Sequence, residues 1–154
     1  MALTLVLNIH GKINSTAAVR KALAELKVER KFSASAVGDD PVTLGILRLC
    51  KDYVAWAPLD APLLKTLLEK RGMVSTTARL DAAALKAMGY KSHEELAEKM
   101  VKDGLRLNQL DGVRPFFRLA PPRGGFKVSM RRQFSEKGML GSNPKLPELI
   151  GRMI

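Results

Sequence analysis

The chain has 154 residues, and 46% of them are hydrophobic, which is enough for a folded core and excludes wholesale disorder. No apolar stretch approaches the ~20 residues that a membrane-spanning helix needs, and the single cysteine, Cys50, excludes an intrachain disulfide and favours a reducing cytoplasm. Twenty-six Lys and Arg against fifteen Asp and Glu give a formal net charge of +11, which favours polyanionic partners over a membrane or a small-molecule substrate.

The first 72 residues alternate between the strand and the helix periodicity. Leu3, Leu5 and Leu7 alternate with other residue types, which predicts a strand rather than a secretory leader. Asn14 or Ser15 is the expected N-cap of a helix whose apolar face recurs at positions 19, 22, 23 and 26. The alternation then repeats, with strands at 32–37 and 53–57 and with helices that open at Asp40 and Asp60, the last ending at Gly72.

This β-α-β-α-β-α order predicts the fold class, an α/β (α+β) protein with a small ferredoxin-like β-α-β-α-β core. Short connections and helices of about three turns favour a small open sheet with helices on one face over a doubly wound nucleotide-binding fold. Cys50 falls on the apolar face of the second helix and is expected in the core.

Residues 73–119 predict an added helical layer. Asp81 caps a short alanine-rich helix, and Ser92 with Glu95 forms a capping box at the start of a second helix. Residues 113–119 predict a returning strand, which Pro115 places at an edge of the sheet because proline lacks a backbone donor.

The positive charge is concentrated late in the chain. Residues 114–154 hold nine basic and two acidic side chains, whereas residues 1–71 have a net charge of +4 and residues 72–113 are neutral. Pro121-Pro122 and Gly124-Gly125 interrupt this segment, which predicts an extended basic tail that lies along a phosphate backbone. We therefore expect residues 1–72 to fold without RNA and residues 120–145 to stay mobile, with a short terminal helix beyond them.

Four of the five phenylalanines lie in this basic segment and have two interpretations. Their rings could stack on unpaired bases or belong to the core. One of Phe116 and Phe117 is expected in the core, whereas both interpretations stay open for Phe126 and Phe134.

Catalytic patterns are poor. Neither His10 nor His93 has an evident partner, and the carboxylate pairs at 39–40 and 94–95 fall at helix starts, where they complement the helix dipole. No glycine-rich phosphate loop is present. The sequence thus predicts no catalytic residue, no metal site and no cofactor.

The candidate RNA-binding residues form a main surface in the basic tail and a weaker one on the first 72 residues. Arginine forks and lysines would contact phosphates, and glycines would bring the backbone close to the RNA. The candidates are Lys12, Arg30, Lys31, Arg48, Lys51, Arg114, Arg118, Arg123, Gly124, Gly125, Lys127, Arg131, Arg132, Lys137 and Lys145.

The segment 117–125, Phe-Arg-Leu-Ala-Pro-Pro-Arg-Gly-Gly, resembles the Arg-Leu-x-Pro-Pro-Arg-Gly-Gly signature of an archaeal protein family. This is the large-subunit ribosomal protein thirty family in the universal naming, whose eukaryotic counterpart is numbered seven. Segments 11–14, 19–28, 53–56 and 67–72 are similar to further elements of the family, so that the resemblance covers nearly the whole chain. One departure is Glu136-Lys137-Gly138, which stands where the family has Glu-Gly-Gly.

The resemblance implies a structural constituent of the large ribosomal subunit. It implies binding to 23S-type rRNA, proximity to the 5S rRNA and contact with neighbouring ribosomal proteins. It also implies three segments: an rRNA-binding core (1–72), an archaeal and eukaryotic extension (73–119) and the basic tail (120–154).

Two other function classes stay open on the residues alone. One is an RNA-binding or RNA-chaperone module that acts outside the ribosome, which comigration with 50S particles through high salt would exclude. The other is a small enzyme on the same core, which would need a pocket of titratable residues with perturbed pKa values.

Overall fold

The protein was analysed as a computed structural model, which describes residues 3–154. Residues 3–154 form six strands and six α-helices, which alternate up to residue 71, as the fold class predicts; two further helices, three strands and a last helix follow. The predicted first strand is confirmed from Leu3 onward, and Met1 and Ala2 lie outside the described residues. The strands are β1 (Leu3–Asn8), β2 (Ser33–Gly38), β3 (Val54–Pro58), β4 (Phe117–Arg118), β5 (Ser129–Gln133) and β6 (Gly138–Ser142). The helices are α1 (Ala17–Glu25), α2 (Pro41–Leu49), α3 (Ala61–Arg71), α4 (Ala82–Ala87), α5 (His93–Asp103) and α6 (Leu146–Gly151).

All six strands join one sheet in the order β4-β2-β1-β3-β6-β5. β1 lies at the centre and pairs antiparallel with β2 and β3, with Leu5 opposite Ala36 on one side and Ala57 on the other. β6 runs parallel to β3, and β5 pairs with β6 through an irregular register. The central strands are therefore those that the strand periodicity predicted.

Helices cover both faces of the sheet, so the prediction of helices on one face is wrong for the whole chain. α1 and α2 pack on one face, where Val6 contacts a cluster that includes Leu23 and Leu47. α3, α4, α5 and α6 cover the other face, on which Leu5 and Leu7 are fully buried. The ferredoxin-like core alone has its two helices on one face, and the later helices bury the face that this core leaves open.

Burial on both faces leaves a polar residue of β1 inside the protein. The side chain of Asn8 is fully buried, and its Nδ2 donates to the carbonyl oxygen of Val28 at 2.6 Å. Its Oδ1 accepts from the backbone N–H of Gly11 at 2.7 Å. A buried amide whose donor and acceptor are both used carries no unsatisfied polar group, so this position tolerates asparagine.

Part of the segment 120–145, which was expected to be an extended tail, lies in the sheet as β5 and β6, whereas its expected mobility stays a prediction. β6 is hydrogen-bonded beside β3, and the backbone N–H of Asn143 donates to the carbonyl oxygen of Trp56 at 2.9 Å. The predicted terminal helix is confirmed as α6, in which Leu146 and Ile150 are fully buried. Only 119–137 run mainly along the surface. Because one core cluster draws on residues from all three predicted segments, they share a single core, and the division itself stays a prediction.

Several local predictions are confirmed and two are shifted. Ser92 accepts from the N–H of Glu95 and begins α5, and β4 lies at an edge of the sheet. The cap of α1 is Thr16 rather than Asn14 or Ser15, and β4 is shorter than residues 113–119. The hydroxyl of Ser15 is occupied elsewhere, because it donates to the carbonyl oxygen of Lys12 at 2.6 Å.

Candidate nucleic-acid interface

The sheet topology gathers cations at one end of the sheet. β1 ends where β2 and β3 begin, since the N–H of Phe32 donates to the carbonyl oxygen of Asn8 and the N–H of Ile9 donates to that of Tyr53. β4 ends there as well, because Arg118 lies opposite Ser33. We call this end the strand-end surface, and its cations are Lys12, Arg30, Lys31, Arg48, Lys51 and Arg118.

Lys12 is partly neutralised on this surface. Its Nζ lies 2.6 Å from Oε2 of Glu29, and both side chains are about half exposed. The hydrogen bond from Lys12, followed by its charge, lowers the pKa of the Glu29 carboxyl. The pair lines a small cavity of about 280 Å³ with Arg30 and Phe116. Lys12 and Arg30 are thus brought together although 17 residues separate them.

β5 is tied to the same end of the sheet. Nε2 of Gln133 donates to Oδ1 of Asp52 at 2.8 Å and to the carbonyl oxygen of Lys51 at 3.3 Å. Nε2 of His10 donates to the carbonyl oxygen of Met130 at 2.8 Å. These contacts hold the outermost strand, which carries the exposed Arg131 and Arg132, beside the strand-end surface.

The Pro-Pro-Arg-Gly-Gly segment forms a turn that is anchored to the last helix. The N–H of Arg123 donates to the carbonyl oxygen of Arg152, and the Arg152 guanidinium donates to the carbonyl oxygens of Arg123 and Gly125 at 3.3 Å. Gly124 and Gly125 have φ values of +76° and +70°, a region that side chains disfavour. Nothing lies within 4 Å of where a Cβ would stand on either glycine, so the turn presents open backbone.

A groove with mixed lining lies beside this turn. It has a volume of about 610 Å³ and runs between the β5–β6 turn and α6. We call it the C-terminal groove. Its apolar lining consists of Val128, Phe134, Met139 and Leu149; its cations are Lys127, Lys137, Lys145 and Arg152; and Gly138, Asn143 and Glu148 complete it.

The four phenylalanines divide between core and surface. Phe117 is buried and Phe116 is not, as predicted for that pair. Phe126 stacks on Phe32 with a centroid distance of 6.1 Å, so its ring has a partner within the protein. Phe134 is half-buried and lines the C-terminal groove.

The predicted RNA-binding residues are available to a partner. All are exposed except Arg114, which is half-buried because its guanidinium lies over the Phe116 ring and donates to the Thr76 hydroxyl. Among residues 3–154, Lys12 is the only one of these cations in an ion pair. Sequence reasoning missed Arg152, whose only signal was a basic residue at the end of an amphipathic helix.

The structure offers little for catalysis or metal binding. Both histidines make structural contacts, since Nε2 of His93 donates to the carbonyl oxygen of Leu80 and Nε2 of His10 donates to that of Met130 in β5. Burial raises the pKa of the Cys50 thiol to about 11, which keeps it protonated and unreactive. Within residues 3–154 no cluster of three or more His, Cys, Asp or Glu side chains could hold a metal, and no helix is long and apolar enough to span a membrane.

The fold and these surfaces define a small basic α/β protein whose exposed cations gather at one end of the sheet and around the C-terminal groove. No protein-family model matches the chain. Curated relatives match nearly its full length, among them three that are named large ribosomal subunit protein uL30. The protein of Thermofilum pendens is 38% identical over 92% of this chain and 91% of its own length. Those of Nitrosopumilus maritimus and Methanothrix thermoacetophila are 35% and 36% identical, over 97% and 96% of this chain and 97% of each relative.

The chain belongs to the uL30 family of large ribosomal subunit proteins, which confirms the resemblance carried by the Pro-Pro-Arg-Gly-Gly segment. It is a structural constituent of the large subunit, in the cytoplasm, and not an enzyme. The sequence predicted this function class.

Proposed function

We propose that the chain binds the 23S-type rRNA of the large subunit through the strand-end surface and the basic residues that follow β4. The observation that carries the proposal is the set of exposed cations without carboxylate partners among residues 3–154. An unpaired surface cation releases counterions from RNA when it contacts a phosphate, whereas a neutralised one contributes much less.

Folded RNA shape would supply the selectivity. The candidate cations lie on strand ends and turns that the sheet holds in place, so they present a fixed pattern of charge rather than a diffuse cloud. A fixed pattern discriminates between RNA folds by the spacing of their phosphates. Proximity to the 5S rRNA and contact with neighbouring ribosomal proteins belong to the same proposal and rest on family membership alone.

Binding to 23S rRNA as a function of salt tests the proposal. We expect affinity to fall steeply between 50 and 500 mM salt, with a log–log slope of about −0.7 to −0.9 for each phosphate contact. Reversing three cations of the strand-end surface, as Lys12→Glu, Arg30→Glu and Arg48→Glu, should flatten the slope and reduce comigration with 50S particles through high salt.

A matched control separates this surface from net charge. Lys70→Glu, Lys86→Glu and Lys91→Glu change the charge equally at exposed sites away from the interface. Equal losses in both triple variants would contradict a defined surface. Wild-type chain that binds RNA but never comigrates with 50S particles would favour a role outside the ribosome.

A further inference from the structure

The C-terminal groove has the chemistry of a nucleotide site. Its volume of about 610 Å³ falls within the range of about 300–1,000 Å³ typical of small-molecule sites. Apolar side chains and cations line the same depression, which suits a ligand with an apolar face and a negative charge close together. A nucleotide has both, in its base and its phosphates.

The charge of the groove selects for an anion. Four cations line it against a single carboxylate, Glu148. Among residues 3–154 none of the four forms an ion pair with a carboxylate. Arg152 is also held in position, because the turn carbonyls of Arg123 and Gly125 accept hydrogen bonds from its guanidinium. The groove therefore offers a positioned guanidinium and three flexible ammonium groups.

Phe134 supplies a surface for stacking. It is half-buried at the end of β5 and pairs with no other ring among the described residues. Phe126, the comparable half-buried phenylalanine, is already stacked on Phe32. A free aromatic face beside cations is the combination that proteins use to hold unpaired bases.

The backbone conformation at Lys137 sets where its side chain lies. Lys137 has φ +58° and ψ +34°, a left-handed conformation that costs a lysine about 1–2 kcal/mol relative to glycine. Lys137 ends the 3-10 turn 134–136, and of the four non-glycine residues with positive φ among residues 3–154 it is the one that lines the groove. Here the strained position places an ammonium group at the lining of the groove.

We propose that the C-terminal groove receives one unstacked nucleotide of the rRNA, with its base against Phe134 and its phosphates on the surrounding cations. This inference rests on the proposed rRNA binding. An intact RNA duplex would present only its backbone and would leave the apolar lining uncovered. An acidic peptide would satisfy the cations but lacks a planar face for Phe134.

Photocrosslinking of the full chain to 23S rRNA tests the assignment. After ultraviolet irradiation and digestion with trypsin, we expect a nucleotide adduct on the peptide 133–137, which carries Phe134. Phe134→Leu, which keeps the apolar bulk but removes the ring, should weaken rRNA binding at least about fivefold. Phe134→Tyr keeps the ring and should bind like wild type. Urea midpoints of the variants show whether the fold is preserved.

The matched control is Phe126→Leu, whose ring is occupied within the protein, and its affinity should stay within about twofold of wild type. Equal losses in Phe134→Leu and Phe126→Leu, or adducts confined to other peptides, would overturn the nucleotide site while leaving rRNA binding intact. If a poly-glutamate peptide displaces 23S rRNA from wild type but not from Phe134→Leu, the groove would be assigned to an acidic protein segment instead. Failure of wild-type chain to bind 23S rRNA at all would overturn the proposed function itself.

Discussion

The backbone N–H of Arg123 donates to the carbonyl oxygen of Arg152 at 3.1 Å, and the Arg152 guanidinium returns to the carbonyl oxygen of Arg123 at 3.3 Å. This reciprocal contact fixes the turn at Pro122 before any partner arrives, while the Arg123 side chain remains exposed. A side chain on a fixed backbone loses less conformational entropy on binding than one on a mobile tail.

Arg123→Ala should therefore weaken rRNA binding more than Lys145→Ala, and Arg123→Lys should recover only part of the loss. A guanidinium can make two parallel bonds to a phosphate, which an ammonium cannot copy. Each alanine variant should reduce the salt slope by about one unit, with the larger loss of affinity at Arg123. The measurement is affinity against salt on one rRNA fragment. Equal losses of affinity in Arg123→Ala and Lys145→Ala would mean that Arg123 contributes no more to rRNA binding than Lys145 does.

Lys137→Gly should make the protein more stable and a weaker RNA binder. Glycine relieves the left-handed backbone, which we expect to raise the free energy of unfolding by about 1 kcal/mol and Tm by about 2–4 °C. The lost charge should lower affinity for rRNA and reduce the salt slope by about one unit. Lys137→Ala is the control, since it removes the charge without relieving the strain. A Lys137→Gly variant no more stable than Lys137→Ala would contradict this account.

Gly138→Ala should destabilise the whole protein, because β6 belongs to the sheet. A Cβ at Gly138 would clash with the backbone carbonyl of Arg132, and we expect a loss of about 2 kcal/mol or more. Gly45→Ala is the matched control within α2, where nothing lies within 4 Å of the new methyl group. It should stabilise the protein by about 0.5–1 kcal/mol. Chemical unfolding measures both, and a neutral Gly138→Ala would contradict the close packing of β6 against Arg132.

Glu29→Gln should strengthen rRNA binding, because it releases Lys12 from its carboxylate. We expect a gain in affinity of a few fold at low salt that shrinks as salt rises. Glu69→Gln is the control, since Glu69 pairs with Lys65 on α3, away from the proposed interface. The folded-state pKa of Glu29 is lowered, so the small stability of the Lys12 pair is present above the ordinary glutamate pKa and is lost as pH falls. Unchanged affinity in Glu29→Gln would remove Lys12 from the interface.

Cys50 should make stability fall at high pH. Burial raises the pKa of its thiol from 9.0 to about 11, so the folded state keeps a proton that the unfolded state releases. The contribution is complete below pH 9 and is lost as pH rises towards 11, on the order of 1–2 kcal/mol. Urea midpoints of wild type and Cys50→Ala should therefore converge over this interval. A constant gap between them would show that the thiol does not titrate with unfolding.

The sequence predicts the elements whose signals are local. The alternation of β1, the cap at Ser92 and the proline that confines β4 to an edge all act within a few residues, and each is found in the structure. β6 was missed because its five residues include two glycines and show no alternation. Its strand conformation comes from pairing with β3, more than 80 residues earlier.

The candidate interface likewise combines features that the sequence shows locally with features that depend on long-range contacts. The sequence identifies the cations directly, and it predicts that they are exposed because lysine and arginine are seldom buried. It does not predict their grouping, because Lys12 meets Arg30 and Glu29 only after β1 and β2 pair. The C-terminal groove likewise requires α6 to fold back beside the β5–β6 turn. Arg152 acquires its place from that tertiary contact rather than from its neighbours in sequence.

The late position of α6 has a consequence for synthesis of the chain. Residues 146, 149, 150 and 153 complete the hydrophobic cluster that Leu5 and Leu7 begin. While the chain is being made, α3, α4 and α5 can cover much of this face, but the part of the cluster that α6 completes stays exposed until residue 153 has emerged. An interrupted product would display that apolar face together with its cations, a combination that invites aggregation and disposal. We therefore expect chains that stop before residue 146 to be less soluble than chains that include α6.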